Sequence, residues 1–352
     1  MEHLQIGIIG LPAAGKSTVF NALTGAKAPT GGYSGRDQPS VAVVSVPDER
    51  IDMLVPLFSP KKTIYAAVEF VDIAGVGTGA EAGQGFSPSL LAAARHVDAF
   101  AFVLGAFDRP ERVRDDLEEI ELELNYADQA VIERRLDRLA ADLKKSPTSG
   151  RPAIEAERTL MGRLNTALQD GAPVRDLQLE PDERKVLRGF GFLTEKPTFV
   201  ILNVSEDVLA AGEPAADLGL PMVAISGEIE AEIAELEPED AKAFLADLNV
   251  VEQGINRVIR EAYRTARLIS FFTVGPDEVR AWTITEGATA LEAADVIHTD
   301  IARGLIRAEV VAYDDMLRVG TMAEARRQGV LRLESKAYVV KDGEICHFLS
   351  NV

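Results

Sequence analysis

Short apolar runs alternate with helix-like stretches through the first hundred residues of the chain and again from 197 to 227. LQIGII, residues 4–9, is the first run, and GKSTVFNAL after it has helical character up to Gly25. VAVVSV, TIYAAVEFVDIAG, the end of LLAAARHVDAFAFVLGAF, PTFVILN and PMVAIS each predict a buried strand. KAPTGGYSGRDQPS and GVGTGAEAGQGFSPS, rich in Gly, Pro and Ser, predict loops. Strands alternating with helices predict an α/β domain with a parallel sheet and crossover helices.

A different texture interrupts this order. Val113, Leu117, Ile120, Leu124, Val131, Leu136, Leu139 and Leu143 recur at helical spacing along a charged stretch, which predicts one long helix with a single apolar stripe. SPTSG at 146–150 breaks it, and Ile154, Leu160, Met161, Leu164 and Leu168 start a second stripe. Two such helices joined by a short turn form an antiparallel hairpin inserted in the sheet domain. From residue 271 the texture changes again. LISFFTVG, EVRAWTIT, LIRAEVVAY and YVVKDGEICHFL predict strands, with one helical segment near 289–302, a small α+β unit of β-grasp outline. The expected organisation is therefore a sheet domain over 1–108 and 197–270, a helical hairpin over 109–196 and an α+β domain over 271–352.

Composition narrows the class. No apolar run reaches the ~18 residues of a membrane span, and the N-terminus lacks a signal-peptide pattern. A single cysteine, Cys346, excludes an internal disulfide and fits a cytoplasmic protein. Four scattered histidines leave no zinc site. The net charge of −19 argues against non-specific nucleic-acid binding by the whole chain. The acidity is concentrated in 197–270, with 14 acidic against 5 basic residues; 109–196 carries 16 basic and 19 acidic residues, the pattern of a solvated helical surface of mixed charge, and is the candidate for any polyanion contact.

The chemistry lies in three motifs. GLPAAGKST, residues 10–18, stands between a strand and a helix and fits the phosphate-loop pattern G-x-x-x-x-G-K-[ST]. Gly10 and Gly15 allow the backbone N–H groups of Pro12–Thr18, Pro12 itself excepted, to curl towards phosphates; the loop residues Pro12, Ala13, Ala14 and Thr18 complete the cradle. Lys16 can reach the β and γ phosphates, and Ser17 can ligate Mg²⁺. VDIAG ends a strand with Asp72, positioned to hold the metal through a water, and Gly75, whose N–H can meet a γ-phosphate. NVSE, from Asn203 to Glu206, stands where GTPases carry N-K-x-D. Their Asp accepts two hydrogen bonds from guanine. The longer Glu206 displaces its carboxylate by about 1.5 Å, enough to lose a bidentate geometry. Val204 replaces the Lys that stacks beside the base. Ser226 and Gly227, at the next strand end, can close the base pocket. These residues point to a purine nucleotide, ATP rather than GTP.

In order and in spacing, GLPAAGKSTVFNALTGA, VDIAG, NVSED and the tail GPDEVRAWTI, VIHTD, RGLIRAEV and YVVKDGEICHFLSNV resemble the YchF/Obg-like ATPase family of translation-factor-class P-loop NTPases, nearly end to end. The resemblance implies a Rossmann-like G domain with an inserted coiled-coil hairpin and a C-terminal TGS-type β-grasp domain. It also implies ATP preference, Mg²⁺ dependence and association with the ribosome or ribosomal RNA. Departures from the family bear on turnover. Ala13 stands where the family commonly has Asn. The loop YSGRDQPSVAVV has no Thr for Mg²⁺, with Arg36 or Asp37 in its place. Val76 follows the second motif, as in the family, and Phe102 aligns with a His proposed to orient water. The expected function is a slow Mg²⁺-dependent ATPase, with a nucleotide-binding switch lacking turnover, or a GTP-binding protein, as alternatives; a small-molecule kinase leaves NVSE and the tail unexplained.

Overall fold

The computed structural model describes residues 4–25, 40–73, 86–210, 217–247 and 252–351. The first elements are β1 (Gln5–Ile9), α1 (Lys16–Thr24), β2 (Ser40–Ser45), α2 (Glu49–Phe58), β3 (Lys62–Ile64), β4 (Ala67–Asp72), α3 (Pro88–His96) and β5 (Ala99–Gly105). They are followed by α4 (Val113–Lys145), α5 (Arg151–Gln169), α6 (Pro181–Leu187), β6 (Thr198–Asn203) and α7 (Glu206–Ala210). Then come β7 (Met222–Ile225), α8 (Gly227–Glu235), α9 (Pro238–Asp247) and α10 (Gly254–Thr265). The chain ends with β8 (Leu268–Val274), β9 (Glu278–Thr285), α11 (Ala290–Ile297), α12 (Thr299–Gly304), β10 (Leu305–Val311), α13 (Tyr313–Val319), α14 (Met322–Arg327), β11 (Arg332–Glu334) and β12 (Ile345–Ser350).

The chain forms two compact units. One comprises 5–42 and 70–254; the other comprises 1–4, 43–69 and 255–352. The boundary runs through β2 and β4. This division differs from the segments expected from sequence, because residues 43–69 and 255–270 fold with the C-terminal domain and the hairpin does not separate from the sheet domain.

In the larger unit the sheet order is β2-β4-β1-β5-β6-β7, and β1–β5, β5–β6 and β6–β7 pair in parallel. The strand order reverses at β1, so the crevice at its C-terminal end is the place where open α/β sheets bind ligands. β5 and β6 are buried along almost their whole length, as strands covered by helices on both faces must be.

The 33 residues of α4 span about 50 Å. Its apolar stripe serves two cores. Val113, Leu117, Ile120 and Leu124 pack with Phe100, Phe102 and Leu202 of the sheet. Ile132 and Leu139 pack with Leu160, Met161, Leu164 and Leu168 of α5. Between the two sets lies Asp128, 0% exposed. Its Oδ1 accepts from Leu193 N–H at 3.1 Å, and its Oδ2 accepts from the N–H and hydroxyl of Thr194 at 2.8 and 2.9 Å. Thr194 Oγ1 in turn accepts from Val174 N–H, and Arg95 lies 3.5 Å from the carboxylate. Burial pushes the Asp128 carboxyl up, against the pull of the Thr194 and Leu193 N–H groups and Arg95.

The smaller unit holds a mixed sheet of order β11-β10-β12-β8-β9-β3. β8 and β9 form an antiparallel hairpin, β12 runs parallel to β8, and α11 covers a core of Phe271, Trp282, Ile284 and Val310. TIYAAVEFVDIAG is two strands rather than one. β3 joins this sheet, in parallel with β9, whereas β4 joins the other. Immediately upstream, α2 starts at Asp48, whose side chain accepts from Arg50 N–H. Arg50 forks onto Asp48 and Asp342, with Nη1 2.7 Å from Asp342 Oδ2, and its guanidinium lies over the Phe272 ring. Replacing Arg50 by alanine is expected to cost this unit about 2 kcal/mol, and lysine, without the planar fork, should recover little of it. Denaturation followed by the fluorescence of Trp282, the single tryptophan, checks this.

Two local expectations are revised. The helical segment near 289–302 is two helices, because His298 is extended and its Nδ1 accepts from Asp300 N–H, starting α12 anew. The strand in YVVKDGEICHFL begins only at Ile345. Upstream of it, Tyr338 C=O and Val340 N–H are used on the backbone of Ala290 and Ala288.

Candidate functional site

Residues 10–18 form the turn from β1 into α1, at the switch point of the sheet. Gly10 is held by close packing, since a Cβ there would collide with the Val103 carbonyl. Two residues of the loop have left-handed backbones, Ala13 at φ 67° and Gly15 at φ 89°. Left-handed φ is costly for alanine and better tolerated by asparagine.

Gly15 caps α1 without a side-chain hydrogen bond, and the first turn of the helix carries no acidic residue. Its positive end and backbone N–H groups are therefore turned to anions. Ser17 is exposed, Pro12 and Ala13 are exposed, Thr18 is half-buried, and Ala14 is buried. Lys16 is half-buried, and its Nζ donates to the Leu11 carbonyl at 2.7 Å. Burial lowers its pKa and the Asp72 carboxylate opposes that shift, so Asp72 and Lys16 sense each other across the end of β4. An exposed hydroxyl and a nearby carboxylate are hard oxygen donors of the kind Mg²⁺ takes. Among the described residues no group of three or more His, Cys, Asp or Glu side chains could hold a metal ion. A cation at Ser17 and Asp72 would thus share its coordination with phosphate oxygens and water.

The turns after β6 and β7 meet this loop through Asn203. The Asn203 amide Nδ2 donates to Ala14 C=O at 3.2 Å, and its Oδ1 accepts from Gly227 N–H at 2.9 Å. Asn203 C=O also accepts from Ala106 N–H at 2.7 Å. The side chain is 6% exposed and acts as a strut tying the phosphate loop to the β7–α8 turn. Gly15 and Gly227 leave room for it: a Cβ on Gly15 would fall on Nδ2, and one on Gly227 would lie 3.0 Å from Oδ1. Ser226 is spent locally, its hydroxyl accepting from Ile229 N–H to cap α8.

Val204 departs from its expected place beside a base. It is 2% exposed and packs in the sheet core with Leu202 and Ala224. Glu206 is exposed in the first turn of α7, where a carboxylate also complements the helix dipole. Phe102, expected from the resemblance to stand at a water-orienting position, is 0% exposed in the middle of β5 and stacks on Phe100. Gly75, Arg36, Asp37 and Val76 lie outside the described residues.

One residue escaped the sequence reading. Phe107, two residues past β5, is 45% exposed although large and aromatic. Its ring edge lies 3.9 Å from where a Gly15 Cβ would be and 3.3 Å from that of Gly105. The signal available in sequence was an aromatic at the end of GAF, directly after a fully buried strand.

Comparisons with known proteins follow the same outline. A family profile described as a 50S ribosome-binding GTPase matches residues 5–134. The profile of the YchF GTPase C-terminal domain, described as a protein of unknown function, matches residues 268–351. The protein named Ribosome-binding ATPase YchF of Haemophilus ducreyi is 41% identical over 99% of both chains. Its namesake in Bacillus subtilis is 40% identical over 99% of this chain and 100% of that protein. Among solved structures, the YchF GTPase of Schizosaccharomyces pombe matches with a TM-score of 0.89 at 29% identity, over 99% of this chain and 98% of that one.

Proposed function

This chain belongs to the YchF family, and we propose on that premise that it binds ATP in preference to GTP at the β1–α1 loop and hydrolyses it slowly with Mg²⁺. The observation that carries this reading is the Asn203 strut. It draws the phosphate loop and the β7–α8 turn into one seat, and it commits the amide that opens the NVSE motif to the protein's own backbone. With Val204 in the core, only Glu206 remains near a base edge, and its reach does not suit guanine's paired donors.

On this reading the phosphates lie along Gly10–Thr18 at the positive end of α1, with Lys16 on the β and γ groups. Ser17 and Asp72 would hold Mg²⁺, which when bound would neutralise phosphate charge. Phe107 offers a flat face to the purine, with Ser226 and Gly227 flanking the pocket. Slow turnover follows from Phe102, a buried phenyl ring that can orient no water. The same observation favours the second reading, a switch that signals by nucleotide occupancy alone.

Relatives are named as ribosome-binding, and the basic residues of the hairpin suit such a partner. Arg134, Arg138, Lys144, Lys145, Arg151 and Arg158 are exposed towards its turn, so ribosome association should weaken with salt. No helix among the described residues is long and apolar enough to cross a membrane.

Calorimetric titration with Mg²⁺ tests the nucleotide assignment. ATP is expected to bind at least about tenfold tighter than GTP, and Phe107→Ala should weaken ATP about tenfold, the loss of one base–aromatic stack. Tighter GTP binding would overturn the adenine reading. Single-turnover phosphate release separates slow hydrolysis from occupancy alone.

A further inference from the structure

Among the described residues, three buried side-chain polar atoms find no hydrogen-bond partner in the protein: Asn125 Oδ1, Asn165 Oδ1 and Arg175 Nε. They belong to three segments, α4, α5 and the turn after α5. The contacts around them bring all three to the base of the hairpin.

The backbone N–H of Arg175 donates to Thr194 C=O at 2.9 Å, and Thr194 is bound to Asp128. Its guanidinium ends on Glu121, to which Nη2 donates. The side chain therefore runs along α4 from the level of Asp128 to that of Glu121. Asn125 stands between them, three residues before Asp128 and four after Glu121, on the same face of the helix. Asn125 is 2% exposed and the Arg175 side chain 12%. Asn165 reaches the same level from α5. Arg135 forks onto Glu157 at 2.7 and 2.8 Å, which gives the register of the two antiparallel helices. Eight residues back along α4 and eight on along α5, about 12 Å each, place Asn165 opposite the turn that holds Asn125 and Asp128. Met161 and Leu168, one turn to either side of Asn165, pack with Ile132 of α4, so Asn165 lies on the face that α5 turns to α4.

We propose that the base of the hairpin binds one internal water molecule, which accepts from Arg175 Nε–H and donates to Asn125 Oδ1 and Asn165 Oδ1. The chemistry of the three atoms selects water. One N–H and two amide oxygens call for a ligand with a lone pair and two hydrogens, and three hydrogen bonds are what a buried water typically makes. A metal cation would face the Arg175 guanidinium. An anion would face two amide oxygens and the Glu121 carboxylate. Buried donors and acceptors left unmade are costly, so the water is part of the fold. It stands beside Asp128, in a polar seam between the sheet core and the hairpin core that α4 joins.

A crystal structure of the whole chain, at a resolution that shows ordered water, is expected to place one water within about 3.3 Å of Asn125 Oδ1, Asn165 Oδ1 and Arg175 Nε. Oxygen-17 relaxation dispersion counts long-lived internal waters in solution. Asn125→Leu and Asn165→Leu each remove one acceptor and put an apolar side chain in its place, so each should lower that count by one water. Circular dichroism shows whether the variants fold; if neither does, the structure of the parent protein decides. A direct hydrogen bond from Arg175 Nε to either amide oxygen, with no water between, overturns the proposal. So does an ion in that place, or an unchanged count of long-lived waters in both folded variants.

Discussion

Gly15→Ala is expected to lower ATP affinity by at least about a hundredfold, roughly 2.7 kcal/mol, while the far-ultraviolet circular dichroism stays that of a folded chain. Two effects add. At φ 89° a Cβ is strained wherever it points, at a cost of about 1–2 kcal/mol. Here it also points at Asn203 Nδ2. The amide must swing away, which breaks its bonds to Ala14 C=O and Gly227 N–H and frees the base-side turn from the phosphate loop. Asn203→Ala separates the two effects. If the collision dominates, the double variant will bind no worse than Asn203→Ala alone, and the two losses will not add. Ala13→Gly is the control: its φ is also left-handed, but the residue is exposed, so the change relieves strain and leaves binding intact. A Gly15→Ala protein that binds ATP within about threefold of the parent would mean that this loop is not where the nucleotide sits.

Asp128→Ala is expected to destabilise the larger unit by about 3–5 kcal/mol. The carboxylate is fully buried and accepts four hydrogen bonds, from two backbone N–H groups, one hydroxyl and the Arg95 guanidinium. Alanine leaves the N–H groups of Leu193 and Thr194 unpaired inside the protein and frees the base of the hairpin from the turn leading to β6. Asparagine keeps one acceptor but turns an N–H towards a donor, so it should rescue only part of the loss. Helical circular dichroism in urea should show the shift, whereas the Trp282 signal from the other unit should move less. Equal shifts in both signals, or a change under about 1 kcal/mol, would show that Asp128 is not the anchor of α4.

Several features were legible in the residues alone. GLPAAGKST between a strand and a helix specifies a phosphate loop: Gly10 admits the close approach of the Val103 carbonyl, and Gly15 the left-handed backbone beside Asn203. The alternation of apolar runs specifies a parallel sheet, since strands covered by helices on both faces have no polar side. The turn at 146–150 and the Gly25 helix end could both be read locally.

Other features depended on residues distant in sequence. The stripe on α4 reads as one face, yet its first half packs on the sheet and its second on α5, with Asp128 at the change. β3 and α2 stand between β2 and β4 in the chain, but β3 completes the C-terminal sheet and Arg50 ties α2 to Asp342. Asn203 became a strut and Val204 a core residue, while Phe107 stayed in solvent beside the loop. Periodicity encodes that a face leaves water; it carries no record of which surface covers it. That choice rests on hydrogen bonds and apolar contacts between segments tens to hundreds of residues apart in the chain, which exist only once the chain has folded.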